Sequence, residues 1–184
     1  MKLDIDSIVI SEAEIQERIK ELGKRISFDY QGKNPLFIGV LKGVLFFLAD
    51  LLRCVTIPLE VDFLAVSSYS AEARNKGVVR LVKDLDIPID GRHVVFVEDV
   101  VDTGLTLNYI LQNLKMRQPA SIKVCTLFDK RKHRLITLPL EYVGFELPDR
   151  FVVGYGLDFR EKYRNLPFIG LLKSSVLTRE TSPE

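Results

Sequence analysis

Apolar positions along this chain follow two patterns that alternate. Ile15, Ile19, Leu22 and Ile26 recur at helical spacing and form one apolar stripe. Ser11 followed by Glu14 has the S-x-x-E form of a capping box, so a helix is predicted over 11–29. LFIGVL (36–41) is instead an unbroken apolar run of strand length, as expected for a strand buried on both faces. Val44, Phe47, Leu48, Leu51 and Val55 then fit a second helix after Gly43. LEVDFLAVSSY (59–69) and GVVRLVKDL (77–85) read as strands, and the polar SAEARNKG between them as a mobile loop. Pro88 and the Asp90-Gly91 pair mark a turn. VVFVE (94–98) is the clearest buried strand, and Leu107, Ile110, Leu111 and Leu114 place a helix soon after it. SIKVCTLF (121–128), EYVGFEL (141–147), FVVGYGL (151–157) and FIGLLK (168–173) read as further strands, and TRETSPE as a frayed end.

Strands alternating with helices predict an α/β fold, a mostly parallel central sheet flanked by helices. Ligands of such sheets sit beyond the C-terminal strand ends, so chemistry is sought after LFIGVL, VVFVE and KVCTLF. A chain of 184 residues, 47% hydrophobic and 28% charged, is expected to form one domain with a core that needs neither disulfide nor metal. Lys and Arg number 26 against 25 Asp and Glu, a formal net charge of +1, which argues against nucleic-acid binding driven by bulk charge. Cys54 and Cys125 lie in apolar runs, as core thiols of a reducing compartment would. No apolar run approaches the roughly 20 residues of a membrane span, and MKLDID lacks a signal-peptide core. The expectation is a cytoplasmic protein with no membrane partner. His93 and His133 have no metal-ligand spacing with the cysteines.

The chemistry concentrates in VVFVEDVVDTGLT (94–106). Glu98, Asp99 and Asp102 fall within five residues, and close carboxylates repel unless cations or hydroxyls offset them. Asp102, Thr103, Gly104 and Thr106 open the following helix. Its N-terminal amides and two hydroxyls suit a phosphate, and Gly104 admits close approach. Asp-Thr-Gly alone would be a helix cap; the whole run is more than capping requires. No G-x-x-x-x-G-K-[ST] loop occurs, and Gly154-Tyr155-Gly156 is followed by Phe159 where a dinucleotide fingerprint needs its third glycine.

This run resembles the phosphoribosyl-pyrophosphate (PRPP) signature of type I phosphoribosyltransferases. From LKG near 41 to RNLPF near 164 the chain resembles the hypoxanthine-guanine phosphoribosyltransferases. The resemblance implies a single domain over 1–184 with a small hood built from the N- and C-terminal segments. It implies Mg²⁺-dependent transfer of the 5-phosphoribosyl group of PRPP to N9 of a 6-oxopurine, a purine salvage reaction. By the same resemblance Glu98 and Asp99 hold the ribose hydroxyls, directly or through Mg²⁺, with Asp158 as a further metal contact. Asp102, Thr103, Gly104 and Thr106 wrap the 5′-phosphate, and Asp102 is the acid/base at purine N7. Relatives often carry Lys where Leu105 stands, so the phosphate is assigned to backbone amides and the two threonines. Leu41, Lys42 and Gly43 resemble the pyrophosphate loop, with a non-proline cis peptide before the Lys, and Arg164 a second pyrophosphate contact. Ser68 and Tyr69 resemble the start of a lid. Lys130 matches the contact to the purine 6-oxo group, Phe151 the ring that stacks on the base, and Val152 the backbone at its edge. A homodimer or homotetramer is implied. Rival readings are a PRPP-sensing regulator on the same fold, expected to carry a basic face or an added DNA-binding segment, and a pyrimidine or adenine transferase, against which Lys130 and FVVGYGLD argue.

Overall fold

The computed structural model describes residues 2–68, 79–147 and 150–178. After a short 3-10 turn, β1 (Ile5–Ile10) leads into α1 (Glu12–Asp29). The cap predicted for α1 forms as a reciprocal pair: Glu14 N donates to Ser11 Oγ at 3.3 Å, and Ser11 N donates to Glu14 Oε2 at 2.8 Å. β2 (Leu36–Leu41), α2 (Leu45–Cys54), β3 (Glu60–Ser68), β4 (Val79–Lys83), β5 (His93–Val101), α3 (Leu105–Lys115), β6 (Ser121–Asp129) and β7 (Tyr142–Glu146) follow. β8 (Val152–Val153), β9 (Ile169–Leu172) and α4 (Ser174–Thr178) complete the described chain.

The main sheet has six strands in the order β4-β3-β2-β5-β6-β7, parallel except for β4, which pairs antiparallel with β3 at the edge. Its central strands are buried on both faces, which explains their unbroken apolar runs. Phe37, Val95 and Val97 point into a core shared with Ile15, Ile19 and Leu51 of α1 and α2. Leu36, Ile38, Val94 and Phe96 point the other way, into a core shared with Leu107, Ile110 and Leu114 of α3. Each such side chain contributes about 1.5–3 kcal/mol by leaving water. β2 pairs with β3 on one side and β5 on the other. The winding therefore reverses between β2 and β5, and a crevice opens beyond their C-terminal ends.

A second sheet pairs the two ends of the chain in the order β1-β9-β8, all antiparallel. Val152, Tyr155, Ile169 and Leu171 join it to the α1/α2 core. The Tyr155 hydroxyl donates to Asp50 Oδ2 on α2 at 2.6 Å, and Gln16 Nε2 of α1 donates to the same oxygen at 2.9 Å.

Two strand boundaries differ most from the pattern reading. β5 does not stop at Glu98 but continues to Val101, because Val100 and Val101 keep pairing with Phe128 and Asp129 of β6. The carboxylates of Glu98 and Asp99 are thus strand residues. FVVGYGL is strand only at Val152–Val153. Gly154, Tyr155 and Gly156 then take φ of 106°, 45° and 100°, which turn the chain through paired bonds between Gly154 and Leu157. The SAEARNKG loop and the residues after Thr178 lie outside the described residues. No helix among the described residues is long and apolar enough to cross a membrane.

Candidate active site

β5 delivers Glu98 and Asp99 to the crevice, and strand alternation sends neighbouring side chains to opposite sides. Glu98 lines a cavity of about 220 Å³ with Asp102, Thr103, Gly104 and Thr106. Asp99 lines a second cavity of about 220 Å³ with Asp102, Lys130, Phe151, Asp158 and Arg164. Asp102 and Val100 border both. The sequence set Glu98, Asp99 and Asp158 is therefore split. Asp99 and Asp158 face one space and Glu98 the other, and no cluster of three metal-capable side chains forms among the described residues.

The first cavity is closed by the start of α3. Gly104 sits at its N-cap with φ 82° and ψ −8°, a left-handed geometry that glycine adopts without penalty. Leu105 N reaches Thr103 Oγ1 at 3.4 Å, and Asn108 N donates to Gly104 O at 2.9 Å. First-turn amides of a helix lack intrahelical acceptors, so this turn can hold an anion.

The second cavity is walled by the end of β5, Lys130, β8 and the turns over 157–164, and the segment that follows β2 packs on its Asp99. The Leu41–Lys42 peptide is cis. Gly43 packs directly on the Asp99 carboxylate, where a Cβ would collide with Oδ2, and Gly156 packs on the carbonyl of Gly43. Arg164 donates from Nη1 to Gly156 O at 2.8 Å and pairs through Nη2 with Asp158 at 2.8 Å and Glu161 at 3.2 Å. Lys42 Nζ reaches the same Glu161 oxygen, also at 3.2 Å. One carboxylate thus lies between two cations. At the other end, half-exposed Phe151 meets Phe159 edge-on with centroids 5.6 Å apart, beside buried Val152. Ser68 is the last residue of β3, and Tyr69 lies outside the described residues.

The phosphoribosyl transferase domain model matches residues 9–160. The chain belongs to the phosphoribosyl transferase family. It is 49% identical over 176 residues to the hypoxanthine-guanine phosphoribosyltransferase of Bacillus subtilis, covering 96% of this chain and 98% of that one. Among solved structures, a hypoxanthine phosphoribosyltransferase from Staphylococcus aureus superposes with a TM-score of 0.92 at 43% identity, covering 96% of each chain. A hypoxanthine-guanine phosphoribosyltransferase from Bacillus anthracis superposes with a TM-score of 0.89 at 45% identity, covering 92% of this chain and 99% of that one. The α/β fold read from the strand and helix pattern is the fold of this family.

The two strand carboxylates of this family member are poised for a positive or hydroxylic partner. Burial, reinforced by the charge of Asp99, pushes Glu98 well above the usual carboxylate range. Glu98 Oε2 is buried with no hydrogen-bond partner, and such an atom calls for a donor. Burial also pushes Asp99 up to about 6, against the opposing pull of the Val100 and Asp99 amides and of Arg164. A carboxyl with a folded pKa above its unfolded value of about 3.9 favours the fold only at low pH. That contribution is lost as pH rises from about 4 through 6, so above 6 ionised Asp99 opposes folding. Asp99→Asn is therefore expected to melt above the wild type at pH 7.5 in a metal chelator, the gap narrowing as pH falls toward 4. Equal melting temperatures at pH 7.5 would contradict the burial argument.

Two residues here were not read from sequence as site residues. Glu161 is brought to Lys42 and Arg164 by the left-handed turn at Arg160 and Glu161, with φ of 54° and 62°. His133, considered only as a metal ligand, places Nδ1 3.0 Å from Asp102 Oδ1.

Proposed function

We propose that this chain transfers the 5-phosphoribosyl group of PRPP to N9 of a 6-oxopurine, hypoxanthine or guanine, giving IMP or GMP and pyrophosphate. The observation that carries this reading is the position of Asp102, on the wall between a cavity bounded by the start of a helix and one lined by an aromatic ring and a lysine. A carboxylate there stands beside the base while the amides and hydroxyls of the same turn face the sugar phosphate.

In this reading the α3 turn, with Thr103, Gly104 and Thr106, holds the 5′-phosphate through amides and hydroxyls. Glu98 takes a ribose hydroxyl on its unpartnered oxygen, and Asp99 flanks the ring from the other side. Lys42, the backbone of Leu41 and Gly43, and Arg164 receive pyrophosphate, whose oxygens replace the Glu161 carboxylate between the two cations. Phe151 stacks on the purine, the Val152 backbone meets its edge, and Lys130 donates to the 6-oxo group. Asp102 takes the N7 proton as N9 bonds to C1, where positive charge develops as the C1–O bond breaks. Asp99 and Asp158 present oxygen ligands of the kind Mg²⁺ takes alongside phosphate oxygens, and the ion when bound supplies charge neutralisation for the leaving pyrophosphate. The β1-β9-β8 sheet serves as the hood over the base, so that 1–184 acts as one domain. We assign a cytoplasmic homodimer or homotetramer; half-exposed Leu45 and Phe46 at the start of α2 offer apolar surface suited to self-association.

The base half of this reading is tested by Lys130→Ala. A hydrogen bond from a charged donor is worth about 1.5–3 kcal/mol, so KM for hypoxanthine is expected to rise about 10- to 100-fold. PRPP affinity by calorimetry stays within about twofold, because the phosphate and pyrophosphate contacts remain. An unchanged KM for hypoxanthine would remove Lys130 from the base site.

A further inference from the structure

The loop 130–135 runs alongside the phosphate loop, tied to it by three contacts in register. Lys130 N donates to Val101 O at 2.9 Å and Leu135 N donates to Thr103 O at 3.0 Å. Between them, His133 Nδ1 lies 3.0 Å from Asp102 Oδ1. The two backbone contacts fix the height of the loop against Asp102. His133 N also donates to Lys130 O at 2.9 Å, closing a 3-10 turn over Arg131–His133. The contact therefore joins two segments whose backbones are already bonded to each other on either side of it.

We propose that His133 is a positioning residue for the transfer reaction, holding one oxygen of Asp102 so that the other faces the purine. This rests on the reading of Asp102 as the base. An imidazole Nδ1–H donating to Oδ1 fixes the carboxylate plane, as an oriented partner does in catalytic pairs generally. Oδ2 then accepts the proton. The purine N7–H bond breaks, an O–H bond forms on Oδ2, N9 bonds to C1, and the electrons of the C1–O bond leave with pyrophosphate. His133 keeps its own protons throughout. The same loop carries Lys130, so the backbone bonds that hold it to Val101 and Thr103 also keep Lys130 beside Asp102.

Steady-state rates at saturating substrate test this with His133→Ala, His133→Asn, Asp102→Asn and the double variant Asp102→Asn/His133→Ala. The amide nitrogen of Asn overlays Nδ1 and keeps the donor. His133→Ala is expected to lose about tenfold in kcat, the worth of one modest hydrogen bond to a charged group, with KM for PRPP within about twofold. His133→Asn should recover most of that loss. In the Asp102→Asn background, His133→Ala should cost nothing further. A wild-type kcat for His133→Ala, no recovery by His133→Asn, or the same tenfold loss in both backgrounds would each overturn the proposal. A wild-type kcat for Asp102→Asn would instead overturn the reading of Asp102 itself.

Discussion

Asp102→Asn is expected to lower turnover by about 10²–10⁴-fold, the range a positioned general base contributes, while PRPP binding changes little. Asn matches Asp in size and keeps one oxygen in the same place, so the α3 turn with Thr103, Gly104 and Thr106, proposed to hold the 5′-phosphate, should still bound its cavity. What is lost is the ability to take a proton at the junction of the two cavities. The check is kcat beside the PRPP dissociation constant from calorimetry. Equal losses in both would mean that Asp102 serves the phosphate and not the proton.

The second large effect concerns packing. Gly156→Ala is expected to destabilise the protein by about 2–5 kcal/mol, the range of a buried collision added to backbone strain. Gly156 has φ 100°, and a Cβ there would strike the carbonyl oxygen of Gly43. That carbonyl cannot retreat freely, since Gly43 already rests on the Asp99 carboxylate. The damage should therefore reach Gly43 and Arg164, proposed to receive pyrophosphate, with a raised KM for PRPP. Gly91 is the matched control: its φ is 66°, but nothing lies within 4 Å of its would-be Cβ. Gly91→Ala should cost only the left-handed strain, about 1–2 kcal/mol. Urea unfolding of the two variants separates the contributions, and equal losses would remove the packing argument.

How legible these features were follows from the range of the interactions that make them. α1 was readable because its cap and stripe lie within one segment, Ser11 to Ile26. β2 was readable because burial on both faces leaves an unbroken apolar run. The end of β5 was not, since Val100 and Val101 stay extended through pairing with β6, which begins 20 residues after β5 ends. The polar triplet Glu98, Asp99 and Asp102 announced chemistry, but not that its members border two different spaces. The reading of FVVGYGL as strand failed after Val153 because Gly154, Tyr155 and Gly156 hold positive φ, and at Tyr155 the residue type does not signal it. Glu161 and His133 escaped for a related reason. Their partners Lys42 and Asp102 are 119 and 31 residues away, and only the folded chain brings them together. Asp62 is a comparable case in the scaffold. Burial would raise its pKa, yet amides of Ile87, Phe63 and Asp86 hold it below the usual range and pin the turn before β5.

The central claim is most directly tested by following nucleotide formation from PRPP and Mg²⁺ with hypoxanthine, guanine, xanthine, adenine and uracil offered separately. IMP is expected to form rapidly from hypoxanthine and GMP from guanine, with no comparable product from adenine or uracil. No nucleotide from any base while PRPP still binds, or product from adenine or uracil in place of the 6-oxopurines, would contradict it.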